Sequence, residues 1–152
     1  MSSDALINVL YVDDEVNNLN SFKAAFRHDF DVYTAISAKE GRKILDTTEI
    51  GVIITDHRMP VMTGIEFLES IIQAYPDTIR ILLTGFADIN AVMDAINRGH
   101  VYKYLVKPWQ NDELKMYILN AMEIYKLRRE NKDLSAKLRL AHAEIEALKK
   151  IV

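Results

Sequence analysis

Five residues of this 152-residue chain have side chains and neighbours that can do chemistry together: Asp13, Asp14, Asp56, Thr84 and Lys107. Each follows or ends a short apolar run, in Val12-Asp13-Asp14-Glu15, Thr55-Asp56, Leu83-Thr84-Gly85 and Val106-Lys107-Pro108. Carboxylates within a few ångströms of one another raise each other's pKa, and a bound cation is the usual resolution. An all-oxygen ligand set without His or Cys points to Mg²⁺, which keeps several waters and takes one or two protein carboxylates plus phosphoryl oxygens. A carboxylate can also be the nucleophile in phosphoryl transfer, giving an aspartyl phosphate, when a metal and nearby donors offset the charge. Asp56 is placed for that role, with the Lys107 ammonium and the Thr84 hydroxyl as donors to phosphoryl oxygens. Gly85 leaves the approach open. Taken singly, Asp13-Asp14 reads as a solvated loop or helix cap, Thr84 as a strand residue and Lys107 as a surface lysine. His57 reads as a loop residue pointing away, and His28, His100 and His142 have no metal-ligand spacing.

The elements that must position these residues are visible as alternating patterns. Runs rich in β-branched residues at Ile7–Val12, Asp31–Ala35, Val52–Thr55, Ile79–Thr84 and Val101–Val106 predict five strands. Helical spacing separates them, as in Leu19, Phe22, Ala25 and Phe26, or Ile65, Leu68, Ile71 and Ile72. Strand–helix alternation implies crossover connections and a parallel sheet covered on both faces, hence a doubly wound α/β fold. Ser37, with Glu40 three residues on, and Asp88 after the Gly85-Phe86-Ala87 loop are predicted helix caps, and Gln110 or Asn111 starts the last helix. In such a sheet, function gathers beyond the carboxyl ends of the strands.

VLYVDDE at 9–15, ITDHRMPVMTG at 54–64, LLTGFAD at 82–88 and YKYLVKPW at 102–109 together resemble the receiver domain of two-component response regulators, over roughly residues 5 to 126. The resemblance implies a flavodoxin-like five-stranded sheet of order 2-1-3-4-5. It implies phosphorylation of Asp56 from the phosphohistidine of a sensor histidine kinase, and Mg²⁺ held by Asp13 or Asp14, Asp56 and the Arg58 backbone carbonyl. In the family pattern Asp14 has the stronger direct metal role and Asp13 often acts through water. Thr84 and Tyr104 become the switch pair, and the Lys107–Pro108 bond is expected to be cis. Arg58 and Phe86 match positions that line the pocket entrance.

From Glu113 the last helical pattern continues to Val152 with no Gly or Pro. A heptad places Ile124, Asn131, Leu138, Ile145 and Val152 at one core position and Leu127, Leu134, Ala141 and Leu148 at the other. This predicts a receiver domain at 1–126 and a coiled-coil dimerisation and transmission helix at 127–152, with Asn131 fixing a parallel pair. The alternatives are an amphipathic helix folded back on its own domain and a solvated linker.

At 49% apolar and 27% charged residues the composition is that of a folded domain. A net charge of −3 gives no general attraction to phosphate backbones, so direct nucleic-acid binding is not expected. The sequence has no cysteine, MSSDALINVLYVDDE does not have the basic start and long apolar stretch of a signal peptide, and no segment approaches ~20 apolar residues. Cytoplasmic location without membrane contact is therefore expected. The favoured reading is a phosphoacceptor that is not itself an enzyme, apart from self-hydrolysis, passing its state through a homodimeric coil to an output domain beyond Val152. The alternative is a stand-alone dimeric module that binds a kinase or target. A Mg²⁺ phosphatase of the haloacid-dehalogenase type fits poorly, because its nucleophile commonly stands early in an Asp-x-Asp motif.

Overall fold

The computed structural model describes residues 7–151. Five strands run β1 (Asn8–Val12), β2 (Asp31–Ala35), β3 (Val52–Asp56), β4 (Ile79–Thr84) and β5 (Lys103–Val106). They alternate with helices α1 (Val16–Phe26), α2 (Ala38–Thr47), α3 (Gly64–Ile71), α4 (Ile89–Asn97) and α5 (Asn111–Ile151), and a 3₁₀ turn at Phe86–Asp88 leads into α4. All strands are parallel, in the order β2-β1-β3-β4-β5. This is the expected doubly wound, flavodoxin-like sheet with an extended C-terminal helix.

Both faces of the central strands are buried, which explains their continuous apolar runs. Val52, Ile54, Ile79 and Ile81 join the core under α1 and α5, while Ile53 and Leu82 join the core under α2, α3 and α4. The spacing in α1 resolves to Leu19, Phe22 and Phe26 facing inward, with Ala25 exposed. β5 begins at Lys103 rather than Val101, although Val101 is still buried in the core.

Register sets up the functional edge. Val12 pairs with Thr55, Asp56 with Leu83, and Thr84 with Val106, so β1, β3, β4 and β5 end level. Backbone hydrogen bonds continue one residue further, from Asp13 N to Ala35 O at 3.1 Å, His57 N to Leu83 O at 2.9 Å and Lys107 N to Thr84 O at 2.8 Å. The backbone carrying the candidate residues is thus held by the sheet itself.

Ser37 caps α2, accepting from Glu40 N at 3.2 Å. Thr63 and Glu66 form a reciprocal capping box on α3. Asp88 occupies the cap position of α4 but makes no cap hydrogen bond, contrary to the sequence expectation. Its carboxylate is committed to Arg58 instead, a charged partner that outcompetes backbone N–H groups. The Lys107–Pro108 bond is cis.

The last helix is unbroken across the expected boundary at residue 126, and its contacts with the domain run further. Tyr125 Oη donates to Glu49 Oε1 at 2.8 Å, Arg129 reaches the same carboxylate at 3.2 Å, and Lys132 lies 3.8 Å from Asp77. Burial, reinforced by that hydrogen bond, pushes the Tyr125 phenol up to about 12. These contacts form a collar that fixes the helix where it leaves the domain.

Candidate functional site

Asp13 is fully buried and its carboxylate is oriented by three donors. Tyr11 Oη donates to Oδ2 at 2.6 Å, Asn18 Nδ2 to Oδ2 at 3.1 Å, and the Glu15 backbone N–H to Oδ1 at 2.9 Å. Burial, and then the Asp13 carboxylate beside it, raise the Tyr11 phenol far above its ordinary value, so Tyr11 remains a donor at any working pH. Sequence reasoning missed both Tyr11 and Asn18. Tyr11 could have been found, because residues two apart on a strand share a face.

Asp56 is only 6% exposed, and Lys107 Nζ lies 2.5 Å from its Oδ1. Burial nonetheless raises the Asp56 carboxyl above the ordinary range; the lysine opposes this, and Asp13 and Asp14 add to it. Oxygens of Asp13, Asp14 and Asp56 all lie within 4.8 Å of one another, with Asp14 the exposed member. Three carboxylate oxygens around one point, with an unfavourable charge on the buried Asp56, suit a hard divalent cation.

The approach of α3 to this site is tight. A Cβ on Gly64 would stand 2.4 Å from the Asp56 carbonyl oxygen and 2.9 Å from His57 Cα, so only glycine fits. Gly64 N donates to His57 O at 2.7 Å, closing the loop that carries Arg58. In the same loop Val61 has φ 71°, a left-handed conformation unfavourable for a β-branched residue. His57 is buried, and its Nδ1 has no hydrogen-bond partner among the described residues.

Thr84 is buried at the end of β4, and its hydroxyl donates to Gly85 O at 3.1 Å rather than to a carboxylate. Tyr104 is half-buried against the α4-side core and lines a surface cavity of about 570 Å³ with Met93, Ile96 and Tyr117. Arg58 turns its guanidinium to Asp88, donating from Nε to Oδ2 at 2.8 Å and from Nη2 to Oδ1 at 3.1 Å. That pairing raises the Arg58 pKa and lowers the Asp88 carboxyl. Phe86 projects into solvent beside it, 78% exposed.

Along α5, Leu127, Asn131, Leu134, Leu138, Ala141, Ile145 and Leu148 are exposed. At 100° per residue these lie on the side opposite Leu114, Ile118, Ala121 and Tyr125, which pack on the sheet. Ile124 differs from the rest of the predicted seam, being partly buried against the domain core. Val152 lies outside the described residues.

Comparison with known proteins agrees with this geometry. A family model described as the response regulator receiver domain matches residues 9–119. The hydrogenase transcriptional regulatory protein HoxA of Cupriavidus necator is 34% identical over 137 residues, covering 90% of this chain but only 28% of that protein. Among solved structures, an adenylate cyclase from Rhodopirellula baltica superposes with a TM-score of 0.85 at 31% identity, covering 88% of this chain and 99% of that one. A response regulator receiver domain protein from Clostridium thermocellum superposes with a TM-score of 0.76 at 34% identity, covering 80% of this chain and 98% of that one. No helix among the described residues is long and apolar enough to cross a membrane.

Proposed function

The chain belongs to the response regulator receiver domain family, and from that premise we propose that Asp56 is the phosphoacceptor of a two-component signalling protein. The observation that carries the proposal is the convergence of Asp13, Asp14 and Lys107 on one buried carboxylate. In the reaction with a kinase phosphohistidine, an Asp56 oxygen forms the new P–O bond as the P–N bond breaks. The electron pair leaves with the imidazole nitrogen, which takes up a proton. Lys107 stays beside the acceptor and offsets charge on the transferring group. Mg²⁺ held by Asp13, Asp14, Asp56 and the Arg58 carbonyl would neutralise the phosphoryl oxygens. Thr84 reaches that group only by giving up its bond to Gly85 O, and Tyr104 can follow into the space this leaves; these two form the switch. The state is lost by self-hydrolysis, and no other catalytic activity is assigned to this chain.

A parallel homodimer through the exposed α5 seam supplies the route outward. The seam is an unpartnered apolar stripe, and the Glu49–Tyr125–Arg129 collar fixes its direction relative to the receiver. The receiver then comprises residues 1–126 and the transmission helix 127–152, with the collar straddling the join. The matched segment is a minor part of relatives such as HoxA, which supports an output domain carried by a longer parent chain. Cytoplasmic location is part of the same proposal.

Borohydride trapping after incubation with acetyl phosphate and Mg²⁺ tests the acceptor. Reduction at residue 56 alone is expected, and label on any other aspartate would refute the assignment.

A further inference from the structure

Asp88 ends the 3₁₀ turn and occupies the N-cap position of α4, immediately before Ile89, where a short carboxylate ordinarily accepts from N–H groups of the opening turn. It leaves those groups without a side-chain partner and accepts two hydrogen bonds from Arg58 instead, at 2.8 and 3.1 Å. The arrangement is lopsided. The Asp88 side chain is 18% exposed, while that of Arg58 is 74% exposed, and Asp88 is the only carboxylate that Arg58 pairs with among the described residues. Arg58 also stands two residues beyond Asp56 in the same loop, so a phosphoryl group there offers its guanidinium a doubly charged competitor with three acceptor oxygens.

We infer that Asp88 is a positioning residue that exchanges partners: paired with Arg58 before phosphorylation, and capping α4 once the phosphoryl group on Asp56 draws Arg58 away. The inference rests on the phosphoacceptor reading above. Both arrangements leave Asp88 hydrogen-bonded, which is what a two-state element requires. The exchange joins the loop after β3 to the start of α4 across the mouth of the site. Only Gly85, Phe86 and Ala87 separate Thr84, the last residue of β4, from Asp88, the last residue of the 3₁₀ turn, so freeing Asp88 also loosens the segment next to Thr84. Linkage makes the coupling reciprocal: a capped α4 leaves Arg58 free for the phosphoryl group.

Amide hydrogen exchange across the first turn of α4 reads the cap directly in the full chain. Without any phosphoryl donor, Arg58→Ala frees Asp88, and exchange there is expected to slow about fivefold, the worth of an ordinary cap. Asp88→Asn keeps the capping group and loses the ion pair, so it should slow exchange likewise. Asp88→Ala loses both the ion pair and the capping group and should not slow exchange. In the wild type, Mg²⁺ with beryllofluoride should slow the same amides, and Asp88→Ala should abolish that response. Unchanged or faster exchange in both Arg58→Ala and Asp88→Asn overturns the exchange of partners whatever becomes of the phosphoacceptor reading, since those arms contain no phosphoryl chemistry. Slowed exchange in those two variants with no beryllofluoride response in the wild type overturns the coupling to phosphorylation and counts against the phosphoacceptor reading.

Discussion

Lys107 Nζ and Asp56 Oδ1 meet at 2.5 Å across the ends of β5 and β3, yet the pairing leaves Asp56 with a raised carboxyl pKa. Burial outweighs the single lysine, and Asp13 and Asp14 push in the same direction as burial. The Asp56 carboxylate is therefore held at an electrostatic cost that the proposed phosphoacceptor role requires and the fold does not.

Asp56→Asn should accordingly stabilise the metal-free protein at neutral pH, seen as a higher Tm. The native state keeps the Asp56 proton to higher pH than the unfolded chain. This group's contribution to stability is therefore fully present below about pH 4 and is lost as pH rises through the raised native value. Thermal melts in EDTA should show the advantage of Asp56→Asn growing with pH over that window and vanishing below it.

Divalent cations should reverse the penalty. A ligand at ten times its dissociation constant adds about 1.4 kcal/mol to stability, or roughly 4 °C here. Millimolar Mg²⁺ should raise the wild-type melting temperature by that order, EDTA should remove the gain, and Asp13→Asn should show little of it. An equal rise in Asp13→Asn would locate the cation elsewhere.

How much of this was legible beforehand depended on how local its cause is. β2 and β4 begin and end at Asp31–Ala35 and Ile79–Thr84, as their patterns indicate. The candidate site was legible because each of its residues ends a strand or stands within two residues of its end, and parallel register brings strand ends together. Asp88 was misjudged because its competing partner, Arg58, is 30 residues away. The collar was invisible for the same reason: Glu49 and Asp77 lie in separate loops that only the folded chain brings to α5. Ile124 fits the heptad, but the helix has not yet left the domain at that point.

Val61 offers a test of stored strain. At φ 71° and fully exposed, its side chain contributes little packing and opposes the backbone conformation. Val61→Gly should stabilise the protein by about 1 kcal/mol, measured by denaturant unfolding at unchanged slope. A loss of stability would show that the valine side chain is held by something other than its loop.

The α5 seam is tested by separating association from domain stability. Leu134→Asp or Leu138→Asp should dissociate the proposed dimer at micromolar concentration, since each places a charge in an apolar seam. Neither touches the domain, so the receiver's melt at low concentration should be unchanged. Light scattering that finds the wild type monomeric, with or without beryllofluoride, excludes the seam.

The central claim is that Asp56 takes a phosphoryl group in a cation-dependent site, and intact mass tests it most directly. With acetyl phosphate and Mg²⁺, the wild type should gain one phosphoryl group, while Asp56→Asn, and the wild type in EDTA, should gain none. Equal gain in Asp56→Asn, or no gain in the wild type, would contradict the account.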